Sequence, residues 1–222
     1  MIGYGLIILT LIITLSSQGY IKSVYNKISK ISAKTNITGC EAARRILDKN
    51  GLKNVDVVEV QGELNDHYDP RSKTIRLSTK VYKESSLASI SVASHECGHA
   101  IQDKDGYAFL RIRNTIVPMV NLASRAGYIV IMIGILASIT SLIWVGIVAE
   151  AFILLFQLVT LPVEFNASNR GLKNIEDLNL VENDEFSSCK KVLKAAALTY
   201  VASAAAAVLD ILRLILIVTR RD

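Results

Sequence analysis

Ser94-His95-Glu96-Cys97-Gly98-His99-Ala100 is the stretch on which the reading of the whole chain turns. Leu87, Ile90, Val92 and Ala93 precede it with no glycine or proline before Gly98, a pattern that predicts a helix running through it. Residues four apart share a helical face, so His95 and His99 point the same way. Two neutral imidazoles one turn apart are half of a tetrahedral zinc site, and Glu96 is placed to act as general base on a water held there. With three histidines and ten glutamates in 222 residues, a shuffled chain would contain H-E-x-x-H only about 0.002 times. Chance is a poor account of the motif. Cys97, two residues after His95, points away from the metal face and reads as packing.

Working outward, charge is segregated along the chain. Residues 1–21, 126–149 and 195–209 contain no charged side chain, although 20% of the whole is charged and 51% apolar, with mean hydropathy +0.37. These stretches are membrane candidates, and the chain reads as part embedded and part aqueous. The net charge of +5 comes from lysines and arginines flanking the apolar stretches, without aromatic interleaving. That distribution fits a bilayer partner and excludes nucleic acid as one. Cys40, Cys97 and Cys189 lack any C-x-x-C spacing, which argues against a disulfide framework and for a reducing compartment.

Residues 1–21 are long enough to span, and Lys22, Lys27, Lys30 and Lys34 follow, so this N-terminal transmembrane anchor has its C-terminal side in the cytoplasm. Residues 22–115 form the expected catalytic region. Thr38-Gly39-Cys40-Glu41 is a capping-box pattern opening a short amphipathic helix that stops at Asn50-Gly51. Val55–Val60 and Thr74–Ser78 read as strands of a short β-hairpin, with Asp66-His67-Tyr68-Asp69-Pro70 as turn-rich sequence between them. Strands beside a zinc helix offer an edge for an extended peptide. Ser85 or Ser86 caps the zinc-motif helix, which runs to about Gln102 before Asp103-Lys104-Asp105-Gly106. His67 is open to three readings: third metal ligand, hydrogen-bonding or transition-state group, or solvated turn residue.

Residues 116–163 exceed one span and predict a transmembrane hairpin turning near Ser138-Ile139-Thr140-Ser141. Its flanks, with Arg111 and Arg113 before and Arg170 and Lys173 after, both face the cytoplasm. Arg125 and Glu150 inside it are a possible pair. Residues 164–194 form a polar cytoplasmic segment, and residues 195–222 form a last span and tail containing Asp210 and Arg213. This count of four spans puts Arg220 and Arg221 on the far side. The fold class is a mainly α membrane protein with about four transmembrane helices and a small α+β zincin-like region, comprising the H-E-x-x-H helix and the hairpin.

A catalytic zinc takes three protein ligands and leaves a position for water. Glu164 is the best candidate for the third, because the hairpin returns it to the cytoplasmic side, where Pro162 permits a helix start close behind it. Four stretches together carry a resemblance: Asp66–Arg71, His95–Gln102, Thr160–Phe165 and Lys194–Tyr200. In them the sequence resembles the YugP-like neutral zinc metallopeptidases of bacterial membranes, and more distantly the HtpX-type and CAAX-processing membrane proteases. The likeness covers nearly the whole chain. It implies peptide hydrolysis in the bacterial plasma membrane and, through the distant relatives' E-x-x-A-D pattern, Glu164 as third ligand. Ser168 stands where those distant relatives carry a supporting acid. Asn166 and Asn169 stand where an acidic and a basic residue are expected from the nearer family.

The reading is a membrane-embedded zinc-dependent endopeptidase acting on peptides or membrane proteins at the cytoplasmic bilayer surface. His95, His99 and Glu164 would hold Zn2+ and Glu96 would serve as base. His67, Tyr68 and Arg170 are candidate donors to the oxyanion. The competing reading is a zinc-stabilised membrane scaffold without turnover, which a fourth protein ligand such as His67 would favour.

Overall fold

The computed structural model describes residues 2–63 and 65–219. Arg220 and Arg221, read above as lying beyond the last span, fall outside the described residues. The protein is mainly helical, with one small sheet, and it divides into two compact units. One comprises Tyr20–Leu110 and Val163–Ala197; the other comprises residues 2–19, Arg111–Pro162 and residues 198–219.

The first unit is built on α4 (Leu87–Lys104), which contains the H-E-x-x-H motif. Ser86 caps it, its side chain accepting the Ser89 N–H at 3.1 Å. Helix α4 is buried along nearly its whole length, from Leu87 and Ile90 through Ala93 and Cys97 to Ala100 and Ile101. Its serines do not break this core, because Ser91 and Ser94 donate to the carbonyls of Leu87 and Ile90 one turn back. Helix α2 (Gly39–Lys49) packs on it through Ala42, Ala43, Ile46 and Leu47. The Thr38–Glu41 capping box forms as the sequence predicts, with the Glu41 carboxylate taking the Thr38 N–H at 2.8 Å.

The sheet differs from the expected hairpin. Strands β1 (Asp56–Val60) and β3 (Thr74–Ser78) are parallel neighbours, and β2 (His67–Asp69) pairs antiparallel with β3, giving the order β1-β3-β2. The hairpin is therefore β2–β3, with β3 where a strand was expected and β2 formed from sequence read as turn. Three residues are too few to show alternation, and the local polar chemistry belongs to the reversal after them. There Asp69 accepts the Arg71 N–H and the Ser72 hydroxyl, and Lys73 adopts φ 49°. The Asp66 carboxylate accepts the Ser78 N–H at 2.7 Å and the Ser78 hydroxyl. This pins the start of β2 to the end of β3.

Helix α6 (Thr140–Asp177) also departs from expectation. Pro162 lies inside it and starts nothing, as Pro118 lies inside α5 (Ala108–Leu136). At 38 residues α6 is about 57 Å long, well beyond the roughly 30 Å of a bilayer core. Its Val163–Asp177 part meets α4 at very short range. A Cβ on Gly98 would stand 2.2 Å from the Ala167 carbonyl oxygen, and one on Gly171 would stand 2.8 Å from that of Ser94. The two backbones touch there because neither glycine has a side chain.

In the second unit α5 and α6 are joined across Ala137–Ile139, where the turn was expected, and α7 (Phe186–Val218) supplies the last apolar helix. Its core is Ile131, Ile143, Ile147, Leu214 and Val218. Leu122, Tyr128, Leu136, Trp144 and Phe152 face outward, as an apolar solvent allows. Among the described residues, four helices are long and apolar enough to cross a membrane, the first being α1 (Ile2–Ile28). Arg125 is exposed, and among the described residues no ion pair joins it to Glu150; Asp210 instead pairs with Arg213 at 3.4 Å.

Gly98→Ala is expected to destabilise the protein by about 1–3 kcal/mol, since the backbone of α6 must move to admit one methyl group. Gly19→Ala, with nothing within 4 Å of the new methyl, is expected to cause no loss. Thermal unfolding of both variants in detergent micelles measures the difference.

Candidate metal centre

His95 and His99 stand one turn apart on α4, their rings edge-on at 84° with centroids 4.7 Å apart. Opposite them Glu164 rises from α6, 2% exposed and held in reach by the glycine contacts. Its Oε2 lies 3.3 Å from Nε2 of His95 and 3.6 Å from Nε2 of His99. The donor atoms of all three residues fall within 4.8 Å of one another. Tetrahedral ligands at zinc distances of about 2.0–2.1 Å are separated by roughly 3.3 Å, so this spacing is that of atoms sharing one ion.

The ring nitrogens facing away from Glu164 are also engaged. Nδ1 of His95 meets the Ser168 hydroxyl at 3.1 Å, and Nδ1 of His99 meets Oε1 of Gln102 at 3.0 Å. Each imidazole is thereby oriented with Nε2 toward the common point, the arrangement that metal-binding histidines need. Burial by itself pushes the His99 imidazole down. The Glu164 carboxylate outweighs this through its hydrogen bond and charge, with Glu96 and Gln102 adding to it, and the net direction is up. An environment that favours positive charge at this point suits a divalent cation.

Glu96 is 7% exposed and outside the three-donor group. Its Oε2 accepts the Tyr68 N–H of β2 at 3.0 Å. The Tyr68 hydroxyl donates to Asp103 at 2.7 Å, and Lys73 reaches the same carboxylate oxygen at 2.5 Å. Burial, followed by the Asp103 hydrogen bond, raises the Tyr68 phenol above its ordinary value and keeps it a neutral donor. Arg170 donates Nε to Asn166 at 2.7 Å and Nη1 to Asp105 at 2.6 Å. His67 is exposed on β2, with Nδ1 2.7 Å from the Asn65 carbonyl. Cys97 turns its sulfur to the Ala43 carbonyl, and burial, then Glu96, holds its thiol well above the usual range.

The structure thus brings His95, His99 and Glu164 together and sets Glu96 beside β2. The side chains of His67, Tyr68 and Arg170 are occupied by Asn65, Asp103, Asp105 and Asn166. Gln102 was read as the end of a helix and of a stretch that carries the resemblance, with no role of its own. Its position three residues after His99, on the same face, was the available signal. Ser168 and Asn166, conspicuous as departures from related patterns, prove to contact a histidine and the Gln102 amide respectively.

Residues 4–219 match the family described as "Putative neutral zinc metallopeptidase". The chain is 46% identical over 201 residues to "Putative membrane protease YugP" of Bacillus subtilis (strain 168), covering 90% of this chain and 89% of that protein. No solved structure matches. A match over almost the full length, together with a His-His-Glu group spaced for one ion, places the chain in the neutral zinc metallopeptidase family, with zinc as its cofactor.

Proposed function

We propose that this protein is a membrane-embedded zinc endopeptidase that hydrolyses peptide bonds at the cytoplasmic surface of the bilayer. The observation that carries the reading is the convergence of two α4 imidazoles and one α6 carboxylate on a single point, with a second carboxylate, Glu96, outside that set. His95, His99 and Glu164 would hold the ion, and zinc there would supply the Lewis acidity that activates water and a substrate carbonyl. Glu96 takes the proton from the attacking water and returns it to the departing amine. The Tyr68 N–H fixes one Glu96 oxygen and leaves the other for the transfer.

β2 is an edge strand, and its Tyr68 N–H reaches the base, so a peptide laid along that edge meets Glu96. Pairing through backbone needs no free terminus, which favours an endopeptidase. Tyr68 and Arg170 donate to neighbouring carboxyl and amide oxygens and serve to position β2 and α6. His67 is the exposed side chain of the three oxyanion candidates and meets an arriving substrate. His67 is also outside the donor group, which supports an open, catalytic site over one closed by four protein ligands. The sixteen lysines and arginines between residues 22 and 113 support a cytoplasmic position for the zinc helix. The zincin-like region spans 22–115, completed by 164–194 after the hairpin at 116–163.

Glu96→Gln is expected to keep its zinc and lose peptide hydrolysis by about 10²–10⁴-fold, because it removes a base and no ligand. Metal analysis combined with a peptide-library digest of the purified protein separates the two effects; a variant stripped of zinc would mean Glu96 is itself a ligand. Glu164→Ala should lose most of its zinc while staying folded and membrane-inserted, whereas Glu150→Ala keeps it. Full zinc occupancy in Glu164→Ala would sink the ligand assignment. For Cys97→Ser and Cys189→Ser, both buried and outside the donor group, zinc content and activity are expected to match the parent protein.

A further inference from the structure

The hydrogen positions behind His99 follow from groups that can play only one role. Arg170 has donors and no acceptor, so the Asn166 atom 2.7 Å from its Nε is the amide oxygen. That oxygen also faces the Gln102 amide at 3.0 Å, and the Val163 carbonyl, which only accepts, faces the same Gln102 atom at 2.7 Å. Two acceptors require the Gln102 NH2 to point at them. Its Oε1 is then turned to His99, and only a protonated Nδ1 can meet an oxygen at 3.0 Å there. With the Nδ1 proton held there, Nε2, the nitrogen facing Glu164, is the one left to give up its proton and take a metal ion.

We propose that Gln102, held by Asn166 and Arg170, is a positioning residue that locks His99 in the Nδ1–H tautomer and so readies Nε2 for zinc. The proposal rests on the reading of His99 as a zinc ligand. Gln102 is fully buried, and Arg170 is anchored at its other end by Asp105, the residue capping α4. The lock therefore runs from the end of α4 through α6 and back to a donor on α4. His95 is treated differently. Its partner, the Ser168 hydroxyl, can donate or accept and imposes no tautomer. The lock needs only an acceptor oxygen at position 166, so an aspartate would serve there as well as the asparagine present.

The test measures zinc affinity of the full chain in detergent by competition with a chromogenic chelator, together with histidine 15N spectra of the metal-stripped and zinc-loaded protein. In the parent protein His99 should hold a proton on Nδ1 both before and after zinc is added. Gln102→Leu should mix the tautomers and weaken zinc binding by about 10–100-fold with unchanged circular dichroism. Asn166→Leu should shift both readouts in the same direction, and Asn166→Asp should keep zinc affinity within about threefold. Parent-like affinity and a single tautomer in Gln102→Leu would overturn the lock, as would equal losses in both Asn166 variants. If Gln102→Leu does not fold, the Asn166 pair decides alone, since Asn166 does not touch the histidine. Failure of the ligand assignment looks different: zinc would remain on Glu164→Ala whatever happens at Gln102.

Discussion

The contact between the backbones of α4 and α6 at Gly98 and Gly171 is the constraint from which the centre follows. A carboxylate side chain is short, and an ion that takes ligands at about 2 Å tolerates little slack. Glu164 can face both imidazoles only if its helix lies almost against theirs. The 2.2 Å and 2.8 Å separations that a methyl group would have to occupy mean that any larger residue at either position pushes the two helices apart. The glycine between Cys97 and His99 is thus part of the metal site, although it offers no donor.

Burial of polar groups is the second requirement, and the same two helices meet it. Gln102, His99, Glu164, Ser168 and the α4 serines are all inside a largely apolar core, where an unmatched polar atom costs about 1–3 kcal/mol. Ser91 and Ser94 turn to their own helix, Ser89 meets the Ser86 hydroxyl, and the histidines take oxygen partners from α6 and from Gln102. On the opposite side of the centre, Glu96 takes a backbone donor from β2, which Asp66, Asp103 and Lys73 hold in register. The sheet is small, yet it fixes the carboxylate of the H-E-x-x-H motif, which lies outside the His-His-Glu group.

Features set by local sequence were legible before any coordinates. The capping box at Thr38–Glu41, the cap at Ser86, the turn after Leu136 and the apolar runs all declare themselves through neighbours in the chain. The His95, His99 and Glu164 grouping was legible for a different reason, because charge segregation returned Glu164 to the compartment of the histidines. What escaped depended on tertiary context. Strand β2 is three residues long and owes its conformation to β3 and Glu96; the parallel pairing of β1 with β3 carries no local mark. Pro162 reads as a boundary by propensity, but α6 continues through it, as helices in apolar surroundings can. Gln102 was invisible as a functional group because its role is fixed by an arginine 68 positions later.

The burial of α4 on every side has a consequence for how such a protein can change over evolutionary time. A helix with one wet face can vary that face freely and sample new chemistry there. Here nearly every position of Leu87–Lys104 is in contact with something that must be repacked if it changes. Drift in this helix should therefore be slow, with novelty in what the protein recognises arising elsewhere. The exposed positions of β1 are where sequence can wander without dismantling the core, so divergence among descendants of this chain should concentrate there.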